Sequence, residues 1–144
     1  MSNSDFHTLK GYQIIEDTRI TPAVEDYLEM ICRMHNSQSY IRVSEIAKML
    51  NVKQSSVTKM LNNLKELEMI NYEKYGYIVP IEKGLALGTY LLHRHDVLNR
   101  LLCLINNTSD EMEQVEKIEH FLEKRTIDNI ERFVEKLEKD KKLD

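Results

Sequence analysis

The chain has 144 residues, 42% of them hydrophobic, with two Pro, four Gly and a formal net charge of −4. That length allows one or two small domains, and so little Pro and Gly argues against long disorder and against an all-β fold. No apolar run approaches membrane-spanning length, the first twenty residues lack the apolar core of a signal peptide, and Cys32 and Cys103 stand alone inside apolar helical patterns; a reduced, cytoplasmic protein with no disulfide framework and no membrane partner is expected.

The charge is unevenly spread. Residues 41–83 carry seven basic and five acidic groups, whereas residues 1–40 carry three and six and residues 84–144 carry ten and thirteen. A positive segment thus lies between acid-rich flanks. Such flanks weaken binding to nucleic acid unless something offsets them, and divalent cations would do so.

Residues 1–20 show Ile14-Ile15 and Ile20 as their main apolar marks, with no clean period, and read as an N-terminal extension packed on the body or on a partner subunit. Thr21-Pro22 then opens the first helix, with Thr as its cap and Pro at its first position. Val24, Tyr27, Leu28 and Ile31 form its inner stripe, and it ends near Asn36-Ser37. Asp26 and Glu29 lie three apart and share another face. Taken alone, that pair is best read as acids favoured by the helix dipole.

Val43, Ile46, Ala47 and Leu50 recur at helical spacing, Asn51-Val52-Lys53 breaks the pattern, and a second short helix follows with Val57, Met60, Leu61 and Leu64 inside. Its outer face shows Gln54, Ser55, Ser56, Thr58, Lys59 and Asn62, and no acid occurs from Asn51 to Lys65. Short polar donors and acceptors plus a cation at the start of a helix suit base edges and phosphates. The period then changes to two over Asn71-Tyr72-Glu73-Lys74 and Tyr77-Ile78-Val79-Pro80, with a tight turn expected at Tyr75-Gly76. Helix, turn, helix and hairpin make a winged helix-turn-helix over residues 21–83, with Lys74 of the wing as a further DNA contact. Helix pairs of this kind also serve as plain packing units; the acid-free polar face tips the reading toward DNA.

Residues 84–144 read as an all-helical domain. A long helix runs to about Ile105, with Leu91, His95, Leu98, Leu102 and Ile105 on one stripe. A lone His on such a stripe is usually a hydrogen-bonded core residue. After the polar loop Asn106-Asn107-Thr108-Ser109, a helix capped by Ser109 or Asp110 is expected to turn Met112, Val115, Ile118 and Leu122 inward. Glu116, Glu119 and His120 share a neighbouring strip, where acids are ordinarily solvated. A last helix from about Thr126 carries Ile127, Ile130, Phe133, Val134 and Leu137, then runs into a solvated tail from Glu138. These stripes exceed what so thin a layer can bury, so a two-fold homodimer is expected.

Asp26 with Glu29, His95, and Glu116-x-x-Glu119-His120 are individually weak signals. Together they supply four carboxylates and two imidazoles, an oxygen-rich set that suits hard six-coordinate ions such as Mn²⁺ and Fe²⁺, and enough carboxylate to bridge two of them. At this point the chain resembles the diphtheria toxin repressor family, in its manganese-regulator branch. The resemblance runs from about Thr21 to the final helix and is strongest at Ser55-Ser56-Val57-Thr58-Lys59-Met60, Tyr72-Glu73-Lys74-Tyr75, Arg94-His95 and Val115-Glu116-x-Ile118-Glu119-His120. The extension over residues 1–20 departs from the family pattern.

The resemblance implies that Asp26, Glu29, His95, Glu116, Glu119 and His120 are metal ligands. Iron-responsive members carry Met and Cys where Asp26 and Glu116 stand, so Mn²⁺ is implied, two ions per subunit, with Fe²⁺, Co²⁺, Cd²⁺ or Zn²⁺ accepted in vitro. It further implies a dimeric, metal-loaded repressor of manganese-uptake genes bound to double-stranded operator DNA, and no enzyme. Two other readings stand beside it. One is a winged-helix regulator of Fe²⁺ or of an organic ligand. The other, weaker, is a carboxylate-bridged di-metal enzyme, which needs Glu-x-x-His on two helices where these ligands have none.

Overall fold

The computed structural model describes residues 19–38, 40–73 and 76–143. Nearly all of the expected extension, together with Lys74 and Tyr75 of the wing, lies outside the described residues. Helix α1 spans Pro22–Ser37 and starts as its sequence signals: the Thr21 hydroxyl accepts from the Val24 N–H at 3.2 Å, with Pro22 at the first position. Val24, Leu28 and Ile31 are buried and Tyr27 half-buried. Helices α2 (Val43–Leu50) and α3 (Gln54–Glu66) meet at Asn51, which adopts a left-handed φ of 55°. Asn tolerates that conformation better than most residues. Val57, Leu61 and Leu64 of α3 are fully buried.

Strands β1 (Ile70–Tyr72) and β2 (Ile78–Pro80) pair antiparallel, Ile70 opposite Pro80 and Tyr72 opposite Ile78. The strands are therefore shorter than the alternation suggested, and the turn expected at Tyr75-Gly76 includes Tyr75, which lies outside the described residues. Gly76 approaches closely there: its N–H donates to the Glu73 carbonyl at 2.7 Å, and an added Cβ would crowd that oxygen at 3.0 Å.

Helix α4 is one uninterrupted element, Glu82–Asn106. Two glycines let it settle closely. A Cβ at Gly84 would lie 1.9 Å from the Met69 carbonyl oxygen, and one at Gly88 2.1 Å from Cys32 Sγ on α1. The resulting α1–α4 contact sets the spacing between Glu29 and His95. Helix α5 (Met112–Ile118) passes into a 3₁₀ turn, Glu119–Phe121, and α6 spans Lys124–Leu143.

The second half corrects four expectations. The expected helix through Leu122 stops at Ile118, and tightening of the chain turns Glu119 fully inward. Met112 and Ile118 consequently face outward, as do Ile105 and Phe133 on the neighbouring helices. The start of α5 has Glu111 in the capping position, while Asp110 accepts from the Met112 N–H through its side chain at 3.3 Å. The last helix begins at Lys124 and continues through the expected tail, where Glu138 accepts from Arg100 of α4 at 2.9 Å. Apolar spacing alone cannot separate a subunit's own core from a face that awaits another copy.

Two hydrophobic cores result. The larger gathers α1, α2, α3, the wing and Leu91 of α4. The smaller gathers Val97, Leu98, Val115 and Ile127, with Leu102, Leu122 and Ile130 packed against them. His95 stands on α4 between the two. Among the described residues no helix is long and apolar enough to cross a membrane.

Candidate functional site

All six acids and imidazoles singled out in the sequence converge on that seam. Glu29, His95, Glu116 and Glu119 bring one ligand atom each within 4.8 Å of one another, and Asp26, Glu119 and His120 do the same. Helix α1 supplies Asp26 and Glu29, α4 supplies His95, and α5 with its 3₁₀ turn supplies the rest. His95 Nδ1 lies 3.2 Å from Glu119 Oε2, 3.5 Å from Glu116 Oε1 and 3.7 Å from Glu29 Oε1. On the other side, His120 Nε2 lies 2.8 Å from Asp26 Oδ1. Glu119 belongs to both groups, which makes it the hinge of the arrangement.

Three residues that spacing did not mark complete the site. Glu25 Oε1 stands 2.8 Å from His120 Nδ1, so the second ring nitrogen is held while Nε2 faces Asp26. Arg94, almost fully buried, donates to both Glu25 oxygens at 3.3 Å. Arg33 donates to Glu29 Oε1 at 2.9 Å. Of these, only Arg94 had a sequence signal, through its place beside His95.

The electrostatics describe crowded acids sharing too few cations. Burial, then the neighbouring Glu119 carboxylate, pushes Glu29 up to about 7. Burial also raises Glu116, with Glu119 adding to it. Burial works against ionised Glu119 too, but hydrogen bonds from His95 and Glu29 and the charge of Arg94 take it below the ordinary carboxylate range. His95 is raised chiefly by its hydrogen bond to Glu119. His120 is pushed up to about 10 by hydrogen bonds to Asp26 and then Glu25.

A divalent cation fits these residues. Glu119 Oε1 is buried with no hydrogen-bond partner among the described residues; Arg94 stands 3.8 Å away and His120 3.9 Å, both beyond hydrogen-bond length. His95 Nε2 is likewise unpartnered. A buried carboxylate oxygen left in that condition costs of order 1–3 kcal/mol or more. The donors are carboxylate and imidazole, and neither group contains a thiolate; this chemistry suits Mn²⁺ and Fe²⁺ over softer ions.

The other predicted surface lies on α3. Gln54, Ser55, Ser56, Lys59 and Asn62 are exposed and Thr58 half-exposed, its hydroxyl donating to the Gln54 carbonyl at 3.1 Å. Lys74 falls outside the described residues. Gln54 and Thr58 line a groove that Arg42, Ser44 and Tyr77 share. Tyr77 packs on Tyr40 with ring centroids 4.4 Å apart, and the Arg42 guanidinium sits 5.9 Å from the Tyr77 ring centre, so the wing is tied to the start of α2.

The chain matches the family model described as the iron dependent repressor N-terminal DNA binding domain over residues 19–78, and that of the iron dependent repressor metal binding and dimerisation domain over residues 81–144. The HTH-type transcriptional regulator MntR of Geobacillus thermodenitrificans is 41% identical over 123 residues, which covers 85% of this chain and 87% of that protein. MntR of Bacillus subtilis is 40% identical over 121 residues, covering 83% and 85%. Among solved structures, the manganese regulator SloR superposes with a TM-score of 0.69 at 23% identity, over 80% of this chain and 54% of its own. IdeR of T. acidophilum gives 0.63 at 28% identity, over 76% and 53%. The chain thus spans about half the length of these two solved structures, and the SloR likeness speaks to fold alone. With both halves matched in order and curated relatives matched along most of their length, the chain belongs to the iron dependent repressor family.

Proposed function

We propose that this protein is a manganese-responsive transcriptional repressor, a two-fold dimer that grips double-stranded operator DNA when two Mn²⁺ are bound in each subunit. The observation that carries the reading is Glu119, fully buried between two carboxylate–imidazole groups with one oxygen unpartnered. The two MntR relatives add to it, being named as HTH-type transcriptional regulators. The family takes its name from iron, but the site offers Asp26 and Glu116 where a softer set would place sulfur, and both cysteines stand outside the two groups. That favours manganese over the iron-sensing alternative. Members of this family are repressors, so the acid cluster is not read as a catalytic centre.

The residues suggest how loading reaches the DNA. Asp26 and Glu29 sit on the helix that packs under the helix-turn-helix; Glu116, Glu119 and His120 sit in the second half, and His95 on α4 between them. Leu50, the last residue of α2, lines the same cavity as Asp26, Glu29, Met112 and Glu116. Unneutralised, these carboxylates repel one another and leave the halves loosely related. Bound cations supply the opposite charge and a common anchor. Ligands on both sides of the seam then restrict the recognition helices to one relative placement, which is a shift in population toward the DNA-competent arrangement. Within that arrangement Ser55 and Thr58 lie at or near base edges and Lys59 contacts phosphate, with Gln54, Ser56, Asn62 and Lys74 as further proposed DNA contacts.

The test is fluorescence anisotropy with a duplex from a manganese-uptake promoter, with and without Mn²⁺. Binding should strengthen by at least about tenfold with the ion. Equal affinity in both conditions refutes the proposal.

A further inference from the structure

We propose that Arg33 is an internal competitor for the cation site. Its guanidinium holds Glu29, and loading has to displace it. The inference rests on reading the Glu29–His95–Glu116–Glu119 group as a cation site.

One oxygen has two claimants. Arg33 donates to Glu29 Oε1 at 2.9 Å, and this is the same oxygen that lies 3.7 Å from His95 Nδ1, facing the group. A cation seated among these four residues draws on lone pairs of that oxygen. It would also bring two positive charges against a guanidinium already there. Both cannot be accommodated at full strength, so one gives way.

The two partners differ in their freedom to move. The Glu29 side chain is 7% exposed, whereas that of Arg33 is 47% exposed. Glu29 has nowhere to go, while Arg33 can swing into water with little desolvation cost. Both stand on α1 four residues apart, so the helix itself holds the competitor in reach. Arg33 also lines the cavity that Asp26, Glu29 and Glu116 open onto, so it stands at the approach to the group. The other arginine of the site behaves differently. Arg94 is 3% exposed and committed to both oxygens of Glu25, so it stays in place as framework. Of the two arginines at the site, one is thus fixed and the other displaceable.

A partly exposed ion pair is weak, which is what a competitor requires: it raises the concentration needed for loading without blocking it. Removing it should tighten binding by about fivefold. The experiment titrates MnCl₂ into the full chain and follows free Mn²⁺ by electron paramagnetic resonance. It compares wild type, Arg33→Met, Arg33→Lys and the control Arg125→Met, with folding checked by circular dichroism. Arg125 is 81% exposed and paired with Glu123, away from the site, and its loss changes net charge by the same amount.

The expected result is tighter Mn²⁺ binding by Arg33→Met, a smaller gain for Arg33→Lys, whose ammonium keeps the charge but not the fork, and no change for Arg125→Met. Unchanged or weaker binding by Arg33→Met overturns the competitor role, as does an equal gain for Arg125→Met, which would reduce the effect to net charge. A wild type that binds no Mn²⁺ overturns the manganese reading itself along with this one. A wild type that binds well and an Arg33→Met that binds no better overturn only the competitor.

Discussion

Glu25 stands in neither candidate ion group, yet it sets the orientation of His120, one of the proposed ligands. By accepting at His120 Nδ1 it leaves Nε2 for the site, and it neutralises Arg94 at the same time. Glu25→Gln keeps the shape and removes the charge. Mn²⁺ affinity is expected to fall by about tenfold, the usual size of an outer-partner effect, with the fold retained; calorimetry showing unaltered affinity would leave Glu25 a purely structural residue. No spacing rule could have marked it, because its partner lies 95 positions along the chain. Asp26 with Glu29 and Glu116 with Glu119 and His120 showed as short local patterns, whereas His95, alone on an apolar stripe, was singled out through the family resemblance. The same residues make a pH prediction. With Glu29 pushed up to about 7 and His120 to about 10, the metal-free site holds protons at neutral pH. Cations bind the deprotonated forms, so loading must release them. Raised values mean that affinity grows as pH climbs through 7, where Glu29 ionises, while His120 gives up its proton only to the ion. Adding Mn²⁺ to weakly buffered protein near pH 7 should acidify the solution, and affinity should rise from pH 6 to pH 8. A titration with a pH dye that detects no proton release would contradict this.

Helix α3 carries its polar residues, the proposed DNA contacts, on one face and its packing on the other. Lys59 is its exposed cation beside Ser55 and Thr58. Lys59→Ala should weaken operator and unrelated DNA alike and reduce the salt slope of binding by about one unit; an unchanged slope would take Lys59 out of the interface. The first four helices were readable because cap, turn and period agree: Thr21-Pro22 opens α1, Asn51 turns α2 into α3, and the apolar stripe carries α4. Helix α5 was not. Met112, Val115, Ile118 and Leu122 promised a longer helix with four apolar residues inside, yet Met112 and Ile118 face outward and the chain tightens at Glu119 and puts a carboxylate in the interior. Hydrophobic periodicity assumes that the interior is apolar, and it fails where a buried charge is the purpose of the element.

Ile105, Phe121 and Phe133 leave the second half of the molecule with large exposed apolar side chains on three elements, a surface that a second copy would cover. None of these three lies in either ion group, so the dimer is expected with and without metal. Phe133→Glu would place a charge against an apolar partner face and should give a monomer at micromolar concentration by sedimentation, while the wild type stays dimeric in both states. A dimeric Phe133→Glu would move the interface elsewhere. The unbroken α4 has a mechanical consequence at this scale. It starts beneath the wing at Glu82, passes the ion groups at His95 and ends in the second half at Asn106. At about 1.5 Å per residue, Glu82 lies roughly 20 Å from His95, so a tilt of about 5° at the pivot carries that end through about 2 Å. One base-pair step is about 3.4 Å. Under the proposed function, a stiff rod of this length would work as a lever whose tolerance is a few degrees, and cations of different size at the pivot would be told apart at the DNA as a fraction of a base-pair step.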